Sequence, residues 1–158
     1  FLVDKTRLSP CVVIDGEHIP VAIPPGQSLP SSDSPALSAT VPPLSDTDMV
    51  EVPLIRIAHG RSGDKGDISN IGIIARRPEH LAVIKSQVTP EAVKAYLAHA
   101  VEGRVTRYDL PGFDAVNFVC EQALGGGGMA SLRGDPLGKA MAQILLSMTV
   151  KVPKQLVE

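Results

Sequence analysis

The segment VPLIRIAHGRSGDKGDISNIGIIA, residues 52–75, sets two apolar runs around a polar centre punctuated by glycines. Residues 52–58 read as a strand entering a loop that runs from His59 to Asp67. The short β-branched run Ile71-Gly72-Ile73-Ile74-Ala75 reads as the strand that leaves it. Further along, residues 78–88 have a helical pattern. Thr89-Pro90-Glu91 opens a second helix, with Thr as N-cap, Pro at the first helical position and an acid in the positively polarised first turn. Val93, Tyr96, Leu97, Ala100 and Val101 follow at helical spacing, and Gly103 is a stop signal. Residues 104–110 and 113–124 are strand candidates joined by a Pro111-Gly112 turn. Asp135-Pro136 is expected to cap a helix through about Leu146, and residues 148–152 can close a sheet.

Strands and helices alternate here without strict βαβ repeats, and hairpin signals join several strands. This pattern predicts an α+β sandwich of the ferredoxin-like class, a mostly antiparallel sheet with helices on one face. Upstream, eight prolines from Pro20 to Pro53 are interleaved with serines, among them Pro24-Pro25 and Pro42-Pro43. Proline removes backbone donors and fixes φ, so residues 24–49 are expected to be an extended linker. Before it, two apolar runs flank Asp15-Gly16, the signal of a β-hairpin. A lone hairpin is marginal in water, so residues 1–23, opening at Phe1, are expected to be the tail of a preceding larger domain. The compact domain is placed at residues 50–153.

Composition narrows the function classes. The chain has 158 residues with 15 Lys plus Arg against 17 Asp plus Glu, so it lacks the basic footprint of a nucleic-acid binder. Aromatic residues are 3% of the chain and Trp is absent, which leaves an aliphatic core and no base-stacking platform. No apolar run is long enough for a membrane span. Cys11 and Cys120 have neither disulfide-framework nor zinc-ligand spacing, and suit a reducing, cytoplasmic setting. No metal or cofactor is indicated.

Two constellations could carry chemistry. Residues 59–67 gather the carboxylates of Asp64 and Asp67, the cations Arg61 and Lys65, and three glycines. Glycines expose successive N–H groups in the manner of an anion nest, and a guanidinium grips carboxylate or phosphate bidentately. The spacing fits neither a Walker loop, a GxGxxG loop nor an EF-hand. The same residues would also suit a structural loop tied by its own salt bridges. The second constellation is Gly125-Gly126-Gly127-Gly128, leading to Ser131 and Arg133, where four glycines permit close approach of a backbone or a ligand. His80 and His99 fall on expected helix surfaces, and Cys120 reads as a core hydrophobe.

Taken together, His59–Asp67, Asn70–Arg76, Thr106-Arg107-Tyr108, Asn117-Phe118 and the four glycines with Ser131-Leu132-Arg133 resemble the C-terminal region of the AtuA-like, acyclic terpene utilisation family. The resemblance covers about residues 50–153. It implies a ferredoxin-like fold and a bacterial or fungal catabolic setting, with branched acyl-CoA degradation and often biotin-dependent carboxylases alongside. It supplies no settled reaction. The first expectation is therefore the small domain of an enzyme component acting on an acyl-CoA or small carboxylate, with hydratase or lyase chemistry at an interdomain site. In that reading Asp64 or Asp67 moves a proton in a catalytic group with Lys65. Arg61, Lys65 and Arg133 hold the anion, and Ser62, Asn70 and the four glycines Gly125, Gly126, Gly127 and Gly128 help bind the substrate. The isolated chain would be inactive alone. The alternative is a non-catalytic assembly module, homo-oligomeric or docked to the preceding large domain or a large subunit.

Overall fold

The structure, a computed structural model, describes residues 4–24, 26 and 48–157. The chain divides into two compact units, Phe1–Ala36 and Leu37–Glu158. Of the expected linker, residues 25 and 27–47 lie outside the described residues.

In the first unit, β1 (Cys11–Ile14) pairs antiparallel with β2 (Glu17–Pro20), in the register Cys11↔Pro20 to Ile14↔Glu17. Asp15 and Gly16 both adopt positive φ, 51° and 84°. That is the two-residue turn whose twist matches a hairpin.

The second unit runs β3 (Met49–Pro53), β4 (Ala58–Lys65), β5 (Ile68–Ala75), α1 (His80–Gln87), α2 (Pro90–Tyr96), β6 (Val105–Asp109), β7 (Ala115–Cys120), α3 (Met141–Leu146) and β8 (Thr149–Pro153). Four strands form a wholly antiparallel sheet in the order β4-β5-β7-β6, and β3 pairs antiparallel with β8 in a second sheet. The expected mostly antiparallel α+β architecture is thus present. Alternation defines its inner face: Ser69, Ile71 and Ile73 of β5 are fully buried while Asn70 and Ile74 are exposed. Val116, Phe118 and Cys120 of β7 continue the same face. The helices cover it, with α3 against β4 and β5, α1 against β5 and β8, and α2 against β6. Thr89 caps α2 as expected, its Oγ1 accepting the Ala92 amide at 3.2 Å. Among the described residues no helix is long and apolar enough to cross a membrane.

The structure corrects several element boundaries. Residues 59–65, expected as loop, are strand: β4 pairs with β5 from Ala58↔Ala75 to Lys65↔Ile68, leaving only Gly66-Asp67 as the turn. Their polar character belongs to an edge strand with a solvent-facing side, which needs few apolar residues. The first strand ends at Pro53, where a short 3-10 turn over Leu54–Arg56 buries Leu54 and carries the chain from one sheet to the other. The last helix begins at Met141 rather than Asp135. Asp135 instead accepts the amides of Lys139 and Ala140, each at 2.8 Å, capping the turn that precedes the helix. His80 is buried rather than superficial.

Candidate functional site

The two constellations meet. The Asp67 carboxylate at the β4–β5 turn accepts the amides of Leu124 at 3.0 Å and Gly126 at 2.9 Å, both at Oδ1. Its carbonyl accepts the Ala123 amide at 2.9 Å. A carboxylate binding two N–H groups is a charge-assisted clamp, so the turn organises the start of the glycine run. Gly125, Gly126, Gly127 and Gly128 all have positive φ. At Gly127 the close approach is strictest, since a Cβ there would lie 2.0 Å from the carbonyl oxygen of Gly66.

Arg133 closes the same loop from its far end. Its Nη1 donates to the carbonyls of Ala100 at 2.8 Å and Ala123 at 2.6 Å, and its Nη2 lies 3.3 Å from Glu102 Oε1. The Ser131 hydroxyl accepts the Arg133 amide at 3.2 Å. The guanidinium and the amides of Gly126, Gly127 and Gly128 are therefore used within the domain. Met129 and Leu132 point the other way and are fully exposed.

Along β4 the expected site residues separate by parity. Ser62 and Asp64 lie on the inner side. The Ser62 hydroxyl donates to the Lys139 carbonyl at 3.3 Å and accepts the Ala142 amide at 2.9 Å, fastening α3 to the strand. Asp64 lies 3.8 Å from the Lys139 ammonium. Arg61 and Lys65 lie on the outer side and are exposed, Lys65 folding back to its neighbour's carbonyl, the Asp64 oxygen, at 2.9 Å. The Arg61 side chain has no ion pair or hydrogen bond among the described residues. Asn70 of β5 and Asn117 of β7 share this outer face. The structure thus brings Asp67, the glycines and Arg133 together, and sets Arg61 and Asn70 on a different surface.

Polar side chains to which the sequence reading gave no part in the fold also shape the domain. Arg107 of β6 donates to the carbonyls of Lys85 at 2.7 Å and Val88 at 3.3 Å, satisfying the C-terminal end of α1. Lys94 donates to the carbonyls of Val101 and Gly103, each at 2.7 Å. The His80 ring meets the Leu156 carbonyl through Nε2 at 3.0 Å, while its Nδ1 is unpartnered. The signal for His80 was available: with Val83 and Ile84 it makes an i, i+3, i+4 stripe. Burial pushes the Cys120 thiol up to about 11. A cleft of about 300 Å³ opens beside His99, Leu124, Arg133, Asp135 and Met141, but its Arg133 and Asp135 are already engaged in the contacts described above. No cluster of three metal-ligating side chains occurs among the described residues.

A protein-family model described as "AtuA ferredoxin-like domain" matches residues 52–151. No curated protein and no solved structure matches the chain.

Proposed function

The chain belongs to the AtuA ferredoxin-like domain family, and we propose that it serves there as an assembly domain, docking the preceding large domain of its polypeptide or a separate large subunit. The supporting observation is the orientation of loop 125–133. Its Gly126 amide is used on Asp67, its Gly127 and Gly128 amides on the Leu124 and Pro136 carbonyls, and its Arg133 guanidinium on Ala100 and Ala123, while Met129 and Leu132 are presented to solvent. A loop built to hold an anion turns its donors toward the ligand. A braced loop displaying two aliphatic side chains suits insertion into a partner's apolar pocket, where a few buried anchors dominate binding.

The test is made in the full-length protein. Exchanging Met129 and Leu132 together for serine is expected to release the large domain or subunit, read by native mass or sedimentation, while the thermal midpoint stays within a few degrees. Asp67→Asn is expected to lower that midpoint, because Asp67 is a clamp. Retained association in the serine variant would sink this reading, as would loss of turnover in Asp67→Asn at unchanged stability.

A second reading keeps the domain inside an enzyme. It draws on Arg61 and Asn70, which remain exposed and uncommitted. Here they would contact an acyl-CoA or small carboxylate at an interdomain site, with hydratase or lyase chemistry in acyclic terpene or branched acyl catabolism. A screen of acyl-CoAs and small carboxylates against the chain and the full-length protein separates the two. Saturable binding abolished by Arg61→Gln supports the enzyme reading.

A further inference from the structure

We propose that the outer face of the four-stranded sheet carries a carboxylate notch that receives an acidic segment of a partner protein. The face is set by register. Arg61, Gly72, Asn117 and Tyr108 lie side by side across β4, β5, β7 and β6, and Gly63, Asn70, Val119 and Thr106 form the next row. Neighbouring strands are about 4.8 Å apart, so Arg61 and Asn117 flank Gly72 at one strand's distance on either side. A Cβ placed on Gly72 would meet only the Arg61 carbonyl oxygen, at 3.8 Å. The notch thus has an empty floor, a guanidinium fork on one wall and a carboxamide on the other. Together they are the donors that a carboxylate accepts from.

Charge identifies the occupant. The outward positions of these strands carry Arg61, Lys65 and His59, the last within 3.3 Å of the Arg76 guanidinium, and none of them is a carboxylate. Of the acids flanking β7, Glu121 is already paired with Arg104 at 2.9 Å, and Asp114 precedes the strand beside Ala75, out of parity with the outward Asn117 and Val119. A face holding an unpaired guanidinium complements an acidic surface and repels its like. A second copy of this chain would set Arg61 and Lys65 against their own counterparts, so a different, acidic chain fits better. Ile74 and Tyr108, 50% and 52% exposed, add apolar area beside the notch. These residues are distinct from the Met129 and Leu132 anchors, so this face and the loop can fail independently.

The test is an NMR titration of the isotope-labelled chain with a capped peptide alternating Glu and Val, beside its Gln and Val counterpart and free succinate. Shifts are expected at Arg61, Gly72, Asn117 and Tyr108 with the Glu peptide alone. Arg61→Gln and Gly72→Val are each expected to weaken binding about tenfold or more. Raising salt from about 0.05 to about 0.5 M should weaken it further, because the pair is exposed. Arg61→Gln alters one exposed side chain that has no bond among the described residues, so it keeps the test valid if Gly72→Val perturbs the sheet. Several outcomes overturn the proposal: no shift at the notch, equal binding of the Gln peptide, or no loss of affinity in Arg61→Gln. Equal binding of succinate would make it a small-molecule site. Peptide-independent shifts that grow with protein concentration would show a second copy covering the face. None of these bears on the loop, whose own test is release of the large domain.

Discussion

Gly127→Ala is expected to be severe where Gly128→Ala is mild. Both glycines have positive φ, +67° and +49°. Alanine at Gly128 carries the left-handed penalty of about 1–2 kcal/mol, whereas Gly127, at φ 67° and ψ 164°, holds an extended positive-φ backbone that is essentially restricted to glycine and costs any other residue about 1–3 kcal/mol. They differ in surroundings. A Cβ at Gly127 would lie 2.0 Å from the Gly66 oxygen, 2.6 Å from its carbon and 3.1 Å from the Asp67 nitrogen, whereas one at Gly128 meets nothing within 4 Å. The obstructing atoms are backbone of a tight turn closed by the Lys65↔Ile68 pair, so relief requires displacing the turn and with it the Asp67 clamp. Forced overpacking of this kind typically costs about 1–3 kcal/mol more. Gly127→Ala should therefore lose about 2–6 kcal/mol against about 1–2 for Gly128→Ala. Urea unfolding followed by tyrosine emission measures the difference. The chain has two tyrosines and no Trp, and both tyrosines, Tyr96 and Tyr108, lie in the second unit. If the two variants unfold at the same midpoint with the same slope, the Gly127–Gly66 approach is not what the glycine serves.

Four other expectations follow from described contacts. Arg107→Met removes the donor to the Lys85 and Val88 carbonyls and should cost about 1–3 kcal/mol in the same assay. Thr89→Ala removes the cap on the Ala92 amide and should cost about 1 kcal/mol. In the folded chain a disulfide reagent at mild alkaline pH should titrate the exposed Cys11 and spare the buried Cys120, which becomes available on denaturation. Because burial pushes the folded Cys120 thiol up to about 11 from its ordinary 9.0, its contribution is fully present below about pH 9. It is lost as pH rises through 11, for a fall of roughly 2–3 kcal/mol.

Much of the fold was legible because local chemistry and tertiary structure agree. The Asp15-Gly16 turn, the Thr89-Pro90 cap and the alternation in β5 each follow from a few neighbouring residues. The segment 59–65 misled because its strand is half solvent-facing and rich in glycine, so neither apolar alternation nor β-propensity marks it. Pairing with β5 decides its conformation, and pairing is not a local signal. The meeting of Asp67 with the glycine run joins positions far apart in sequence, and shared polarity alone does not bring them together. Arg133 and Asp67 drew notice as charges, yet a charge that serves backbone amides and carbonyls looks the same in sequence as one that serves a ligand. Arg61 and Asn70 were singled out with them, and only strand parity separates the two groups.

The seating of Gly127 on the Gly66 carbonyl also bears on where this chain can accept new sequence. Hairpin tips are ordinarily the tolerant places for grafted peptides, since they end in solvent. The β4–β5 tip is an internal joint, and extra residues there would unseat the loop that displays Met129 and Leu132. The connection between β6 and β7, residues 110–114, is exposed throughout and crowds nothing at Gly112. An epitope tag or a fluorophore-bearing insert belongs there. The same asymmetry predicts where natural length variation can gather among chains built on this domain.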